Sequence, residues 1–273
     1  MLKERFSFGK NWKNFLETLN EDRIKEAEHS LQSMLHLDTL RGKSFLDIGS
    51  GSGLFSLAAA RLGADKIHSF DYDDQSVACT RELKQRFFSE FTAWSIEQGS
   101  TLDQKYLQDI GMYDVVYSWG VLHHTGEMWQ ALENVSHCVA ENGYLFIAIY
   151  NDQGVISDIW TQVKKIYNKL PGFLRLFYVF SIWTPFEILP SIKQVATGHL
   201  PWNHWVTYKK NRGMSRWHNI VDWIGGYPFE VATPEKIFHF YHERLFVLVK
   251  MKTRQGLGCN EFVFRKINKD IKA

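Results

Sequence analysis

The stretch KSFLDIGSGSG, residues 43–53, runs from an apolar segment into five residues with little or no side chain. An apolar strand ending on alternating glycines lets the backbone turn tightly and leaves the main chain open to close approach by another molecule. Outward from this point, short apolar runs alternate with helix-length segments. The runs are SFLDIG (44–49), KIHSFD (66–71), TAWSIEQG (92–99), YDVVYSW (113–119) and GYLFIAIY (143–150), and between them lie LFSLAAARLG, DQSVACTRELKQRFF and MWQALENVSHCVA. Such alternation predicts βαβ units and a parallel sheet covered on both faces. Upstream, Ile24, Ala27, Leu31 and Met34 recur at helical spacing and predict an amphipathic helix. Downstream, Thr233 followed by Pro234 is a helix start. FVLVKMK and NEFVFRK then follow, too close together for a crossover helix, and predict an antiparallel hairpin. The expected fold is α/β: a Rossmann-like, doubly wound, seven-stranded sheet, mostly parallel, with an antiparallel C-terminal hairpin and a helical insertion after the fifth strand.

At 273 residues the chain can hold one large α/β domain, or an ordinary domain carrying a sizeable insertion. A formal net charge of +2 gives no global attraction to nucleic acid, so any basic surface must be local. Cys79, Cys138 and Cys259 lie far apart with no CxxC, which points to reduced thiols and a cytoplasmic location. The N-terminal residues contain no apolar run of signal-peptide length. The most apolar run, LFYVFSIWTPF (176–186), is too short to span a bilayer but suits a membrane surface. Proline is absent from the first 170 residues and then occurs at 171, 185, 190, 201 and 228, so the chain changes character near residue 152. Residues 1–40 form an N-terminal helical segment, residues 41–152 and 230–273 the sheet domain, and residues 153–229 an insertion.

The spacing of the glycines narrows the ligand. Gly49, Gly51 and Gly53, with Ser50 between them, form a nucleotide-cofactor loop, but a dinucleotide fingerprint would place its third glycine at position 54, which is Leu54. Asp47, inside the strand, would repel a pyrophosphate and attract an ammonium or sulfonium. DIGSGSG thereby resembles the first motif of class I S-adenosylmethionine-dependent methyltransferases, and the resemblance extends over residues 40–150 and 232–266, including the terminal hairpin. It implies that S-adenosylmethionine is the cofactor and S-adenosylhomocysteine the product, with no metal. Asp71 would accept the ribose hydroxyls, with Tyr72 beside the adenosine. Ser100, Thr101 and the main chain of Leu102, in QGSTLD, would meet the adenine, although Ser100 stands where the family often has Asp. Ser118 and Trp119, ending the fourth strand, would border the pocket; Phe8 and Trp12, in FGKNW, read either as a flap over the cofactor or as core packing.

Methyl transfer to a hydroxyl requires alignment of the acceptor and removal of its proton. His123 and His124 are candidate bases, because imidazole titrates near neutrality; local packing is the competing reading of both. The segment SWGVLHHTGEMW lacks the Asn/Asp-Pro-Pro-aromatic and Pro-Cys motifs of enzymes that methylate bases. The insertion at 153–229 holds six of the ten tryptophans and nine basic residues against three acidic ones. That interleaving suits a phosphorylated or sugar-bearing acceptor, single-stranded RNA, or a lipid interface. Arg212, Arg216 and Trp217 are candidate acceptor contacts, and His218 with Asp222, at i and i+4, is a further candidate base with its orienting carboxylate. RGMSRWHNIVDWIGGYPFEVA and GLGCNEFVF resemble a bacterial methyltransferase group associated with surface polysaccharides, some of it labelled as quinone methylases. The expected function is O-methylation of a small, anionic or glycan-related acceptor under a cap formed by the insertion. An RNA-modifying enzyme, a quinone-type O-methyltransferase and a non-catalytic binding protein are the alternatives, with a nicotinamide oxidoreductase more remote. Homo-oligomerisation and peripheral membrane contact remain open.

Overall fold

The structure, a computed structural model, describes residues 9–196 and 216–268. The chain divides into two compact units, one of residues 7–157 and 230–273, the other of residues 158–229 together with residues 1–6, which lie outside the described part.

The first unit is built on the expected sheet. Its strands are β1 (Ser44–Ile48), β2 (Lys66–Asp71), β3 (Trp94–Gln98), β4 (Tyr113–Trp119), β5 (Val139–Tyr150), β6 (Phe246–Lys252) and β7 (Cys259–Lys266), in the order β3-β2-β1-β4-β5-β7-β6. The first five are parallel; β7 runs antiparallel to β5 and to β6, as the short 253–258 connection requires. Helices α1 (Gly9–Glu17), α2 (Glu21–Leu35), α3 (Leu54–Arg61), α4 (Asp74–Phe87), α5 (Gln104–Ile110) and α6 (Met128–His137) connect or flank the first five strands. On α2 the buried residues are Ile24, Ala27, Leu31, Met34 and Leu35, the face that the periodicity predicts. Strand order reverses between β1 and β4, so a crevice opens at the carboxyl ends of these strands, directly after the glycines.

Two apolar cores cover the faces of the sheet. One gathers Leu46, Ile48, Val116, Ile147 and Tyr241; the other gathers Leu31, Phe45, Leu57, Leu83 and Phe146. The second face is interrupted by polar groups. Because side chains alternate along a strand, the β2–β1–β4 register lines up Ser69, Asp47 and Tyr117 side by side on it. All three are buried.

The insertion leaves and re-enters the sheet unit at one place. Asn151 forms a parallel bridge with Ala232, the Ala232 amide donates to the Tyr150 carbonyl, and the Glu230 amide donates to the His123 carbonyl. The Glu230 carboxylate then accepts from the Gly126 and Met128 amides at the start of α6, where the helix dipole favours an anion. After it, Thr233 caps the helix begun by Pro234 (Pro234–His242), as the sequence predicts.

The second unit contains most of α7 (Val155–Lys169), with α8 (Gly172–Ala196) and α9 (Arg216–Gly225). Its interior is built around a cation. Lys164 is fully buried, donates to the Trp223 carbonyl, and places its ammonium 4.4 Å from the Trp223 ring, 4.7 Å from Phe229 and 5.9 Å from Trp160. Desolvated cation–π contacts of this kind are worth about 2 kcal/mol or more. Lys164→Ala removes both the cation and its packed stem, and the 158–229 unit should become protease-sensitive at temperatures where the sheet unit is still resistant. Limited proteolysis against temperature checks this; co-melting of both units with wild-type resistance would contradict it.

Candidate active site

The cofactor candidates are assembled by the turn after β1. Gly49, Gly51 and Gly53 have φ of 72°, 56° and 80°, the left-handed region that glycine enters without a steric penalty. There is also no room for side chains. A Cβ on Gly49 would lie 2.5 Å from both methyls of Val121, and one on Gly51 would lie 2.9 Å from the Trp12 ring. Ser50 is held by a hydroxyl contact of 3.0 Å to Thr80, and the Gly53 amide closes the turn on the Ser50 carbonyl.

Asp71 stands beside this loop at the end of β2, half-buried. One carboxylate oxygen accepts from the Gly51 amide at 3.0 Å and the other from the Asp73 amide at 2.9 Å. The aspartate thus pins the glycine loop to β2 while its position at the crevice edge suits a diol. Tyr72 follows it with an exposed ring, and its carbonyl accepts from the Gln98 side chain. Asp73 caps α4 through the Gln75 and Ser76 amides.

Among the described residues, Trp12 reaches this turn from the N-terminal segment, its ring lying against Gly51, while Phe8 lies outside them. Helix α1 lies along α4, with Gly9 so close to Asp73 and Gln75 that a Cβ there would lie 2.5 Å from the Asp73 carboxylate. Trp12→Ala should weaken binding of S-adenosylmethionine about 3- to 10-fold, the scale of one lost aromatic contact, with little change in melting temperature. A calorimetric titration measures this, and unchanged affinity would assign the ring to loop packing alone.

The remaining candidates divide. Thr101 is buried, its carbonyl receiving the Asn134 amide at 2.8 Å, while the Leu102 amide donates to the Ser100 hydroxyl. That turn is thus tied by hydrogen bonds to α6 and within itself, just beyond β3. Ser118 is buried with its hydroxyl donating to the Ile48 carbonyl, whereas Trp119 is 45% exposed and its indole donates to Glu261. His123 and His124 are both buried in a short 3₁₀ turn. His123 Nδ1 accepts from the Tyr150 amide and its ring lies 3.9 Å from the Tyr150 ring, so it braces the end of β5. Arg216, Trp217 and His218 fall on α9, where the backbone alone is described, as it is for Asp222; Arg212 lies outside the described residues.

Asp47 has a different setting from the one its sequence position suggests. It is buried beneath the loop and accepts from the Ser56 hydroxyl at 2.5 Å, in the first turn of α3; that hydroxyl contacts Ser69, which receives the Trp94 indole. Burial, opposed by the Ser56 bonds and reinforced by the nearby Asp71 charge, pushes the Asp47 carboxyl up to about 7. Tyr117 lies beside it with a buried hydroxyl that has no hydrogen-bond partner among the described residues. Ser56, Ser69, Tyr117, Val121 and Glu230 escape a motif-based reading; for Ser69 and Tyr117 the signal was a polar residue on the inward phase of an apolar strand. Among the described residues no three His, Cys, Asp or Glu side chains group as metal ligands.

The sheet order and the antiparallel C-terminal hairpin form a Rossmann-like α/β fold of the kind seen in solved methyltransferases. Residues 46–145 match the family described as a methyltransferase domain. Over 146 residues the chain is 25% identical to ribosomal protein L11 methyltransferase of Streptococcus uberis, covering 52% of this chain and 41% of that protein. It is 29% identical over 199 residues to tRNA U34 carboxymethyltransferase of Pseudomonas syringae pv. syringae, covering 69% of this chain and 57% of the relative. The chain thus spans roughly half the length of these relatives. Magnesium protoporphyrin IX methyltransferase from Synechocystis PCC 6803 with bound S-adenosylhomocysteine shares the fold at a TM-score of 0.53 and 13% identity, over 89% of this chain and 82% of that one. PKMT2 from Rickettsia typhi, in complex with AdoHcy, does so at 0.59 and 11%, over 90% of this chain and 53% of that one.

Proposed function

We propose that this chain binds S-adenosylmethionine at the carboxyl end of β1 and β2 and transfers its methyl group to a small-molecule hydroxyl. The observation that carries the reading is the left-handed glycine turn hydrogen-bonded to Asp71 and overlaid by Trp12. The donor set fits that cofactor: a carboxylate at the loop edge suits the ribose diol, the glycines and Ser50 leave main chain bare for the methionine portion, and Tyr72 with Ser100, Thr101 and Leu102 suits the adenosine. Ser118 and Trp119 would border the same pocket from β4. Bound there, the cofactor supplies a sulfonium-activated methyl. The chain's own task is to orient the acceptor oxygen and take its proton.

His218, on sequence grounds, and His123 and His124, buried in the 3₁₀ turn, are the candidate proton acceptors, with Arg212, Arg216 and Trp217 of the 153–229 insertion as candidate acceptor contacts. Nine basic residues against three acidic ones in that insertion favour an anionic acceptor, such as a nucleotide-linked or phosphorylated sugar. The three widely spaced cysteines, none in a disulfide, support a cytoplasmic site of action in this reading. A second reading, methylation of RNA, draws on the 199-residue similarity to a tRNA-modifying enzyme. Incubation with methyl-labelled S-adenosylmethionine and a fractionated cell extract tests both. Label in sugar-nucleotide or glycan fractions supports the first; label in RNA, lost at raised salt, supports the second; label in neither defeats both.

A further inference from the structure

The helices of the second unit turn apolar side chains outward. On α8, Phe173 is 73% and Phe177 70% exposed, with Leu176 and Phe180 also exposed, so the aromatics recur at i, i+4 and i+7 on one outer stripe. On α7, Ile159 and Ile166 are exposed one heptad apart, while Trp160, Lys164 and Tyr167 face inward. The two helices are tied together: the Tyr178 hydroxyl donates to the Val163 carbonyl, and the Arg175 guanidinium caps the end of α7 through the Leu170 and Asn168 carbonyls while lying over the Tyr167 ring. The outer stripes therefore do not close on each other.

Charge selects the partner. Between Asp158 and Glu187 the sequence contains four basic residues and no acidic one. Lys164 is interior, but Lys169 is exposed and Lys165 and Arg175 are partly so, flanking the apolar stripes near the α7–α8 turn. A second copy would set like charges against one another. Exposed Phe and Leu beside surface lysines allow apolar rings to be buried at the boundary of an anionic bilayer while the ammonium groups stay at the headgroups, and no helix among the described residues is long and apolar enough to cross one. We propose that the α7–α8 pair docks this protein on the surface of anionic lipid membranes, with Phe173 and Phe177 entering the acyl boundary and Lys165 and Lys169 at the headgroups. The proposal goes beyond the methyl-transfer reading and stands or falls without it.

The test is co-sedimentation of the full chain with phosphatidylcholine vesicles and with mixed phosphatidylcholine–phosphatidylglycerol vesicles. The chain should bind the mixed vesicles, weaken at raised salt, and lose about tenfold or more in partitioning in a Phe173→Ser/Phe177→Ser variant. Lys169→Glu, a surface change that spares the apolar stripe, should lower binding to the mixed vesicles and provides the test should the double variant misfold by circular dichroism. Failure to bind the mixed vesicles, or equal binding by the folded double variant, overturns the proposal. So does a wild-type dimer that the double variant converts to monomer without any vesicle binding, which would make this face a contact between copies.

Discussion

Asp71→Ala is expected to lower the affinity for S-adenosylmethionine and S-adenosylhomocysteine about 100-fold. A hydrogen bond to a charged group is worth about 1.5–3 kcal/mol, so the loss of a carboxylate accepting from a ribose diol reaches this scale. The structure adds a second contribution. The same carboxylate accepts the Gly51 and Asp73 amides, and its removal frees the glycine loop from β2. Both cofactor forms should weaken equally, because neither effect touches the sulfonium; isothermal titration with each ligand measures this. Asp71→Asn, which keeps an acceptor oxygen but loses the charge, should fall between wild type and alanine. Wild-type affinity in Asp71→Ala would remove the ribose from this place in the crevice and leave the aspartate as a loop tether.

Asp47→Asn is expected to raise the melting temperature of the ligand-free protein at pH 8 by several degrees. The Asp47 carboxyl is raised from 3.8 to about 7 by burial. The folded state therefore keeps a proton that the unfolded state has already released across this interval, and stability falls as pH rises from about 4 through 7. The full linkage amounts to an upper bound of about 4 kcal/mol above pH 7, and about 2–4 °C per kcal/mol applies to chains near this size. A neutral amide can still accept the Ser56 hydroxyl, so the variant should lose the pH dependence without losing the contact. Two forces compete here: desolvation of the anion, and its attraction to the first turn of α3. A lower melting temperature for the variant at pH 8 would mean that the helix terminus wins. Comparing wild type and variant from pH 4 to 8 isolates this group, because every other titratable group is common to both.

The helical faces, the βαβ order, the hairpin and the glycine turn were legible because each depends on local spacing: period two or 3.6 for burial, and glycine where φ must be positive. Asp71 was legible for the same reason, standing at a strand end. Asp47 was legible as an acid but not in its environment, since its neighbours Ser69 and Tyr117 come from β2 and β4 and meet it only through strand register. His123 is alike: its residue type made it a candidate base, and its packing against Tyr150 and the bond from the returning Glu230 amide to its carbonyl come from segments distant in the chain.

By itself, then, the sequence determined the α/β class, the sheet's parallel body and antiparallel edge, and the position of the glycine turn, because hydrophobic periodicity and glycine's freedom act within a few residues of one another. The tertiary structure decided which polar groups face each other. It set Trp12 against Gly51 across 39 positions, joined Asn151 to Ala232 to close the ends of the insertion, enclosed Lys164 in three aromatic rings, and turned Phe173 and Phe177 outward. Those outcomes depend on packing between segments distant in the chain, and on the cost of burying a charge or leaving an apolar ring in water, which no local pattern encodes.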